Sequence, residues 1–296
     1  MAEQPISIAI PVQQGRPARR IPRPPAILMP WRLMPLVLVI LVVVLGPYLT
    51  GSPTAQSLAD RLHPPFSESG HLFGTDGLGR DLLARIIAGA RNSLGISVLA
   101  ASGAAIIGVA AGVIAGMVGG WFDRTVTMLV ETILAVPFVT VGLMVTATIG
   151  QSSAALLFLL VGTGWITHAR VLRSQSRVIA ASKFVDASHS MGASSVHVMF
   201  RHIIPNLLPT AVVVYFQQIG SMLLWSASLT WLGIGMPIEN ISLGGIVRDG
   251  QELLYNGWWV SVIGGLSIVL IVTSLNLAAD WLRIALDPRM RGYRST

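Results

Sequence analysis

Ser93-Leu-Gly-Ile-Ser-Val-Leu-Ala-Ala-Ser-Gly-Ala-Ala-Ile-Ile-Gly-Val-Ala-Ala-Gly-Val-Ile-Ala-Gly-Met-Val118 carries no charged side chain over its whole length. An apolar helix needs roughly 20 residues to cross the hydrocarbon core of a bilayer. Outward from this stretch, five more segments qualify on the same grounds, at about 29–49, 125–149, 153–172, 208–229 and 258–281. In lipid a backbone must satisfy its polar groups within the segment, so these spans are expected to be helices. The fold class expected is therefore all-α: a polytopic membrane protein of about six transmembrane helices. Composition agrees, since 53% of the 296 residues are hydrophobic and only 11% charged, against about 25% charged in a soluble domain. Mean hydropathy is +0.69. Gly108, Gly112 and Gly116 of the quoted span, with Gly120 just beyond it, recur at four-residue spacing, a stripe on which a neighbouring helix can pack closely.

Orientation follows from the basic residues. With the N-terminus inside, the inner segments hold Arg16, Arg19, Arg20, Arg23, Arg32, Arg124, Arg170, Arg173, Arg177, Lys183, Arg201, Arg283, Arg289, Arg291 and Arg294, while the outer ones hold Arg61, Arg80, Arg85, Arg91 and Arg248. Both termini and the loop between spans four and five are thus expected in the cytoplasm. The outer segments near 50–92 and 230–257 are long enough for short helices. Because the charges flank apolar runs, the net charge of +7 reads as membrane topology and not as a nucleic-acid surface. The Pro- and Arg-rich residues 1–28 read as a disordered tail, residues 29–92 as the first span with its outer loop, 93–284 as a core with a cytoplasmic loop at 173–208, and 285–296 as a second tail.

Several chemistries are excluded or weakened. The chain has no cysteine, which removes disulfides and thiol catalysis. Its one lysine, Lys183, does not follow a glycine, so the G-x-x-x-x-G-K-[ST] phosphate loop is absent. Of the six histidines, His168, His189, His197 and His202 fall at or beyond the inner end and His63 and His71 outside. They read as structural hydrogen-bonding groups, and no metal site is expected. Glu131, within the third span, is either satisfied by a neighbouring helix or lines a path. Trp225, Trp231, Trp258 and Trp259 at the outer ends of the last spans read as an aromatic belt, with Trp231 a second candidate for the path.

The most informative loop reads Phe184-Val-Asp-Ala-Ser-His-Ser-Met-Gly192-Ala-Ser-Ser-Val-His-Val-Met-Phe-Arg-His-Ile-Ile-Pro205-Asn206. A short helix is expected to end near Gly192, and a second to follow and stop at Pro205. This makes an elbow with an apolar side (Phe184, Val185, Met191, Val198, Met199) available to a partner. The pattern resembles the Glu-Ala-Ala…Gly loop of ABC importer permeases, whose coupling helix sits in a cleft of the ATPase subunit, with Asp186 standing for the Glu and Ser188 for the second Ala. The resemblance assigns coupling to Asp186, Ala187, Ser188, Gly192, Ala193 and Ser194.

Further blocks narrow the likeness. His71-Leu-Phe-Gly-Thr-Asp-Gly-Leu-Gly-Arg-Asp81-Leu-Leu-Ala-Arg85, with Gly74, Thr75, Asp76, Gly79, Arg80 and Asp81, is similar to a block in the C-type permeases of dipeptide, oligopeptide and nickel importers. Trp165 with Ala169, Arg170 and Arg173, then Leu229-Thr-Trp-Leu-Gly-Ile-Gly235, then Leu275-Asn276, Asp280 and Leu286-Asp287-Pro288-Arg289 resemble further motifs of that family. Met128 and Gly264 depart from it, where an Arg and a Pro are usual. The resemblance implies a type I importer permease (MetI-like) fold in the bacterial plasma membrane and import of di- or oligopeptides, with nickel or another small solute as the alternative. A self-sufficient secondary transporter would instead show inverted repeats and mid-membrane ionisable residues. The partners implied are a homologous B-type permease, two ATPase subunits or a fused ATPase, and an extracytoplasmic binding protein. ATP and Mg would belong to those ATPases, with no cofactor on this chain.

Overall fold

A computed structural model describes residues 30–67 and 70–286; both tails, and the motif at 287–289, lie outside the described residues. Ten α-helices are described: α1 (Met34–Leu49), α2 (Leu82–Val118), α3 (Gly120–Ala135), α4 (Phe138–Ile149), α5 (Ser153–Ala180), α6 (Lys183–Ser190), α7 (Ser195–Val198), α8 (Ile204–Trp231), α9 (Leu243–Gln251) and α10 (Trp258–Leu286). Among the described residues the only extended pairing is an isolated bridge between Thr75 and Asp81. Five helical stretches are long and apolar enough to cross a membrane, and α3 with α4 would make a sixth. The all-helical, multi-span expectation is met.

The boundaries depart from the apolar runs for physical reasons. The second span begins not at 93 but at Leu82, where the Asp81 carboxylate caps the helix by accepting from the Leu83 amide at 2.8 Å. Arg85 interrupts the hydropathy but not the helix, because it is buried against Asp76 of the preceding loop and Asp249 of α9. At 37 residues, α2 is about 55 Å long and exceeds the roughly 30 Å hydrocarbon core. The third span is not one helix: α3 and α4 meet at an 85° bend. Pro137 supplies no amide hydrogen and forces Val136 out of the helical region, to φ −97°, ψ 126°.

Pro205 does not stop a helix either. A π-turn at Met199–Ile203 leads directly into α8, with Pro205 in its first turn, and the altered hydrogen-bond register of the wider turn accommodates a residue that has no amide to donate. The wide turn lets α7 run into the fifth span as one rod.

The core is organised along α2 and α5. A Cβ at Gly108, Gly112 or Gly116 would lie 2.4 Å from Trp165 O, 2.7 Å from Ala169 O and 2.4 Å from Arg173 O respectively. The glycine stripe is therefore a seam on which two backbones touch, and it stops short of Gly120, whose Cβ would meet open space. One hydrophobic cluster runs through α2, α5, α8, α9 and α10, including Leu82, Leu160, Leu223, Ile246 and Val260. A second, smaller cluster of Val113, Leu172, Val185, Val198, Ile203 and Leu207 closes the opposite end. The molecule thus has a loop end, carrying residues 50–81 and α9, and an elbow end, carrying α6, α7 and the π-turn.

Candidate functional site

At the elbow end, α6 and α7 fold back on each other around Gly192. Its φ of +86° lies in the left-handed region that glycine adopts cheaply. The Gly192 amide donates to His189 O at 2.9 Å and the Ala193 amide to Ser188 O at 3.1 Å, and the Ser194 hydroxyl caps α7 by accepting from the His197 amide. The apolar side expected to await a partner is divided in two. Val185 and Val198 are fully turned into the bundle's own small core, with Met199 packed against it. Phe184 and Met191 remain exposed, joined by Val196 and Phe200. Such short helices need tertiary packing to persist in water, so part of the apolar face anchors the elbow and only the rest is free. Asp186, Ala187, Gly192 and Ser194 are exposed, Ala193 is half-buried, and Ser188 is buried, donating to Phe184 O at 2.9 Å with His202 Nε2 3.4 Å away.

At the loop end the block at 71–85 is a knot tied by Asp76. That carboxylate is buried and accepts from the amides of Leu78 (2.9 Å) and Arg80 (3.0 Å), from Arg80 Nε (2.7 Å) and from Arg85. Arg85 reaches on to Asp249 of α9 at 2.9 Å. Burial pushes the Asp76 carboxyl up, but the hydrogen bonds from Arg80 and Leu78 and the charges of Arg85 and Arg80 outweigh it and hold the group below its ordinary value. Gly79 has a φ of +68°, and a Cβ there would meet Ser57 O at 1.7 Å; Gly74 is also packed on backbone, where a Cβ would meet His63 O at 2.4 Å. Thr75 accepts from the His63 amide at 2.9 Å and donates to Asp60 O. All six motif residues thus converge on one rigid cap over α2 and α9. Trp259 belongs to it: its indole donates to Thr75 O at 3.0 Å and its ring is buried. It is a structural strut and not part of an aromatic belt, whereas Trp225, Trp231 and Trp258 stay partly exposed.

Between the two ends, Glu131 is exposed on α3 and lines a cavity of about 260 Å³ with Thr127, Arg170 and Arg173. It makes no ion pair among the described residues; the satisfied acid of α3 is Asp123, which binds Arg173 and also Arg177 at 2.6 Å. A second cavity, of about 310 Å³, lies in the crook of the α3–α4 bend against the middle of α5 and α8. Trp231 is not among its lining residues. His168 is fully buried in the bundle, where its ring interacts with the side chain of Gln218. No cluster of three or more His, Cys, Asp or Glu is placed to hold a metal among the described residues. Sequence reasoning missed Gln218, Asp249 and the Asp123 ion pairs. Asp249 and Asp123 are distant in sequence from their partners, and Gln218 has no motif around it.

The model of the family described as binding-protein-dependent transport system inner membrane component matches residues 108–292. A putative peptide transport system permease protein of Brucella suis is 34% identical over 263 residues, covering 88% of this chain and 87% of that protein. The dipeptide transport system permease protein DppC of Alkalihalophilus pseudofirmus is 32% identical over 253 residues (85% and 83%). The oligopeptide transport system permease protein OppC of Mycobacterium tuberculosis is 33% identical over 237 residues (79% and 80%).

Proposed function

The chain belongs to the family of binding-protein-dependent transport system inner membrane components, and from that premise we propose that it is one permease half of an ATP-driven importer of di- or oligopeptides. The names of its relatives support the peptide assignment. In this reading a homologous B-type permease completes the pore. Two ATPase subunits, or a fused pair, bind ATP and Mg and dock at the elbow end in the cytoplasm. A substrate-binding protein delivers peptide at the loop end, and both termini lie in the cytoplasm of a bacterial inner membrane.

The observation that carries this reading is the divided elbow. Phe184, Met191 and Val196 present free apolar surface around Asp186 and Ala187, while Val185, Val198, Ile203 and Leu207 fuse the same elbow to α2, α5 and α8. A push on the outer face is therefore a push on α8 as a whole, since α7, the π-turn and α8 are continuous. Alternating access follows when ATP closes the ATPase pair, drives the elbows together and opens the cavity to the loop end. Glu131, beside Arg173 on the same side of the bundle, is assigned to the path. No residue of this chain carries out covalent chemistry in the cycle.

The test is ligand stimulation of the purified complex. Peptide-loaded binding protein is expected to raise its ATPase rate several-fold. Stimulation by a nickel chelate or another small solute, with none by peptides, would overturn the substrate assignment.

A further inference from the structure

We propose that one face of α8 is this subunit's wall of the translocation path, along which the peptide slides past Gln217 at its midpoint; the inference rests on the peptide-import reading above. Asn206, Thr210, Gln217, Ser221 and Ser228 follow the helical repeat. At 3.6 residues per turn they fall within a sector of about 60°, and all five are exposed or half-buried. Gln217 stands midway along the 28 residues of α8. Its main-chain oxygen accepts from the Ser221 hydroxyl, while its side-chain amide makes no hydrogen bond among the described residues.

Hydrocarbon does not tolerate such a face. Polar side chains within a span turn to the bundle interior or to a water-filled cavity, because an unsatisfied amide in lipid is costly. The first span shows the contrast, since every exposed side chain of α1 from Val37 to Leu45 is apolar. The surface around the stripe is also concave. Along the elbow-end half of α8, α5 and α10 stand on either side and form with it a groove of about 420 Å³. Its lining includes Gln175, Asn206, Thr210, Gln217 and Arg283, over a floor of buried Val213 and Val214. Spans that pack on one another do so through small residues that let backbones approach, as α2 and α5 do at their glycines. Here long polar side chains surround a hollow, which suits water and a solute and not another helix. Apart from Arg283 at the elbow end, the stripe and the groove lining carry no charge. A peptide's main-chain N–H and C=O groups therefore find acceptors and donors along the wall whatever its side chains.

The experiment uses the complete transporter with its partner subunits and binding protein in proteoliposomes. The chain has no cysteine, so one introduced thiol reports one position of this subunit. Gln217→Cys and Ser221→Cys are compared with Ile106→Cys, at a side chain 73% exposed on α2. The depths match, because Gly103 and Gly108 of α2 abut Val161 and Trp165 of α5, and Gln218 bonds Gly164 between them. A membrane-impermeant sulfonated thiosulfonate attacks the thiolate, which forms in water, and is expected to label both α8 variants about tenfold faster than Ile106→Cys. Peptide-loaded binding protein with ATP should slow that labelling several-fold relative to unloaded binding protein with ATP, because peptide then occupies the path. Labelling of both α8 variants no faster than Ile106→Cys would overturn the inference, the face then being covered by lipid or by a partner helix. Fast labelling that peptide leaves unchanged would overturn it too. Ser221→Cys, which exchanges one atom, carries the reading if Gln217→Cys does not assemble. Failure of the wild-type complex to import any peptide would instead bring down the peptide reading itself, a result distinguishable because it needs no variant.

Discussion

Replacing Gly112 by alanine adds one methyl group to the α2–α5 seam, and its effect can be worked out from the backbone. The new Cβ would lie 2.7 Å from Ala169 O and 3.0 Å from Ala169 Cα, where about 3.5 Å is comfortable. Neither atom belongs to a flexible side chain, so α5 must retreat by several tenths of an ångström or more, and the contacts at Gly108 and Gly116 loosen with it. Overpacking of this kind costs about 1–3 kcal/mol. The control lies in the same helix. A Cβ at Gly95 meets nothing within 4 Å, so Gly95→Ala gains roughly 0.5–1 kcal/mol from reduced backbone freedom. Thermal unfolding of the detergent-solubilised complex, followed by loss of its monodisperse size-exclusion peak, separates the two. Gly112→Ala should melt several degrees below wild type and Gly95→Ala at or above it. Equal melting temperatures for the two variants would refute the claim that backbone contact, and not the general smallness of glycine, sets the seam.

Removing the Asp76 charge by Asp76→Asn leaves buried Arg85 paired with Asp249 alone, a loss of about 1.5–3 kcal/mol read as a lower melting temperature. Because the folded group titrates below its ordinary value of 3.8, its stabilisation is complete above that pH and is lost as pH falls through the lowered value. The gap between wild type and variant should therefore be the same at pH 7 and pH 5.5 and close only in stronger acid. Val185→Asp places a charge in the elbow's own core and should destabilise the permease itself. Met191→Asp, on a side chain 82% exposed, should leave its melting unchanged yet reduce ATPase subunits retained in a pull-down. Asp123→Ala frees Arg173 and Arg177 and should speed proteolysis within residues 119–136 while leaving α2 and α5 protected.

The spans were legible because a bilayer imposes length and apolarity on consecutive residues, and both are local properties. Their ends were less so. Arg85 masked the start of α2 because its neutralising partners, Asp76 and Asp249, come from elsewhere in the chain. Pro137 was inside a run long enough for one span, and nothing in the hydropathy records that the backbone turns there by 85°. Pro205 looked like a stop because the π-turn that accommodates it has no sequence signature of its own. At the elbow, the motif located the turn at Gly192 correctly. Which apolar residues face inward depended on where Val113 of α2 and Leu172 of α5 end, a tertiary fact. The same is true of Trp259, which composition places at a membrane surface and packing places under Thr75.

In the function proposed above, import through this permease is powered by ATPases acting at the elbow. Its most direct test is uptake of a labelled peptide by proteoliposomes holding the complete complex, with binding protein at the loop end and ATP at the elbow end. Uptake is expected to require both, and to be abolished by deleting residues 186–195 while the chain still inserts in the membrane. Uptake driven by an ion gradient in the absence of the ATPase subunits would contradict it.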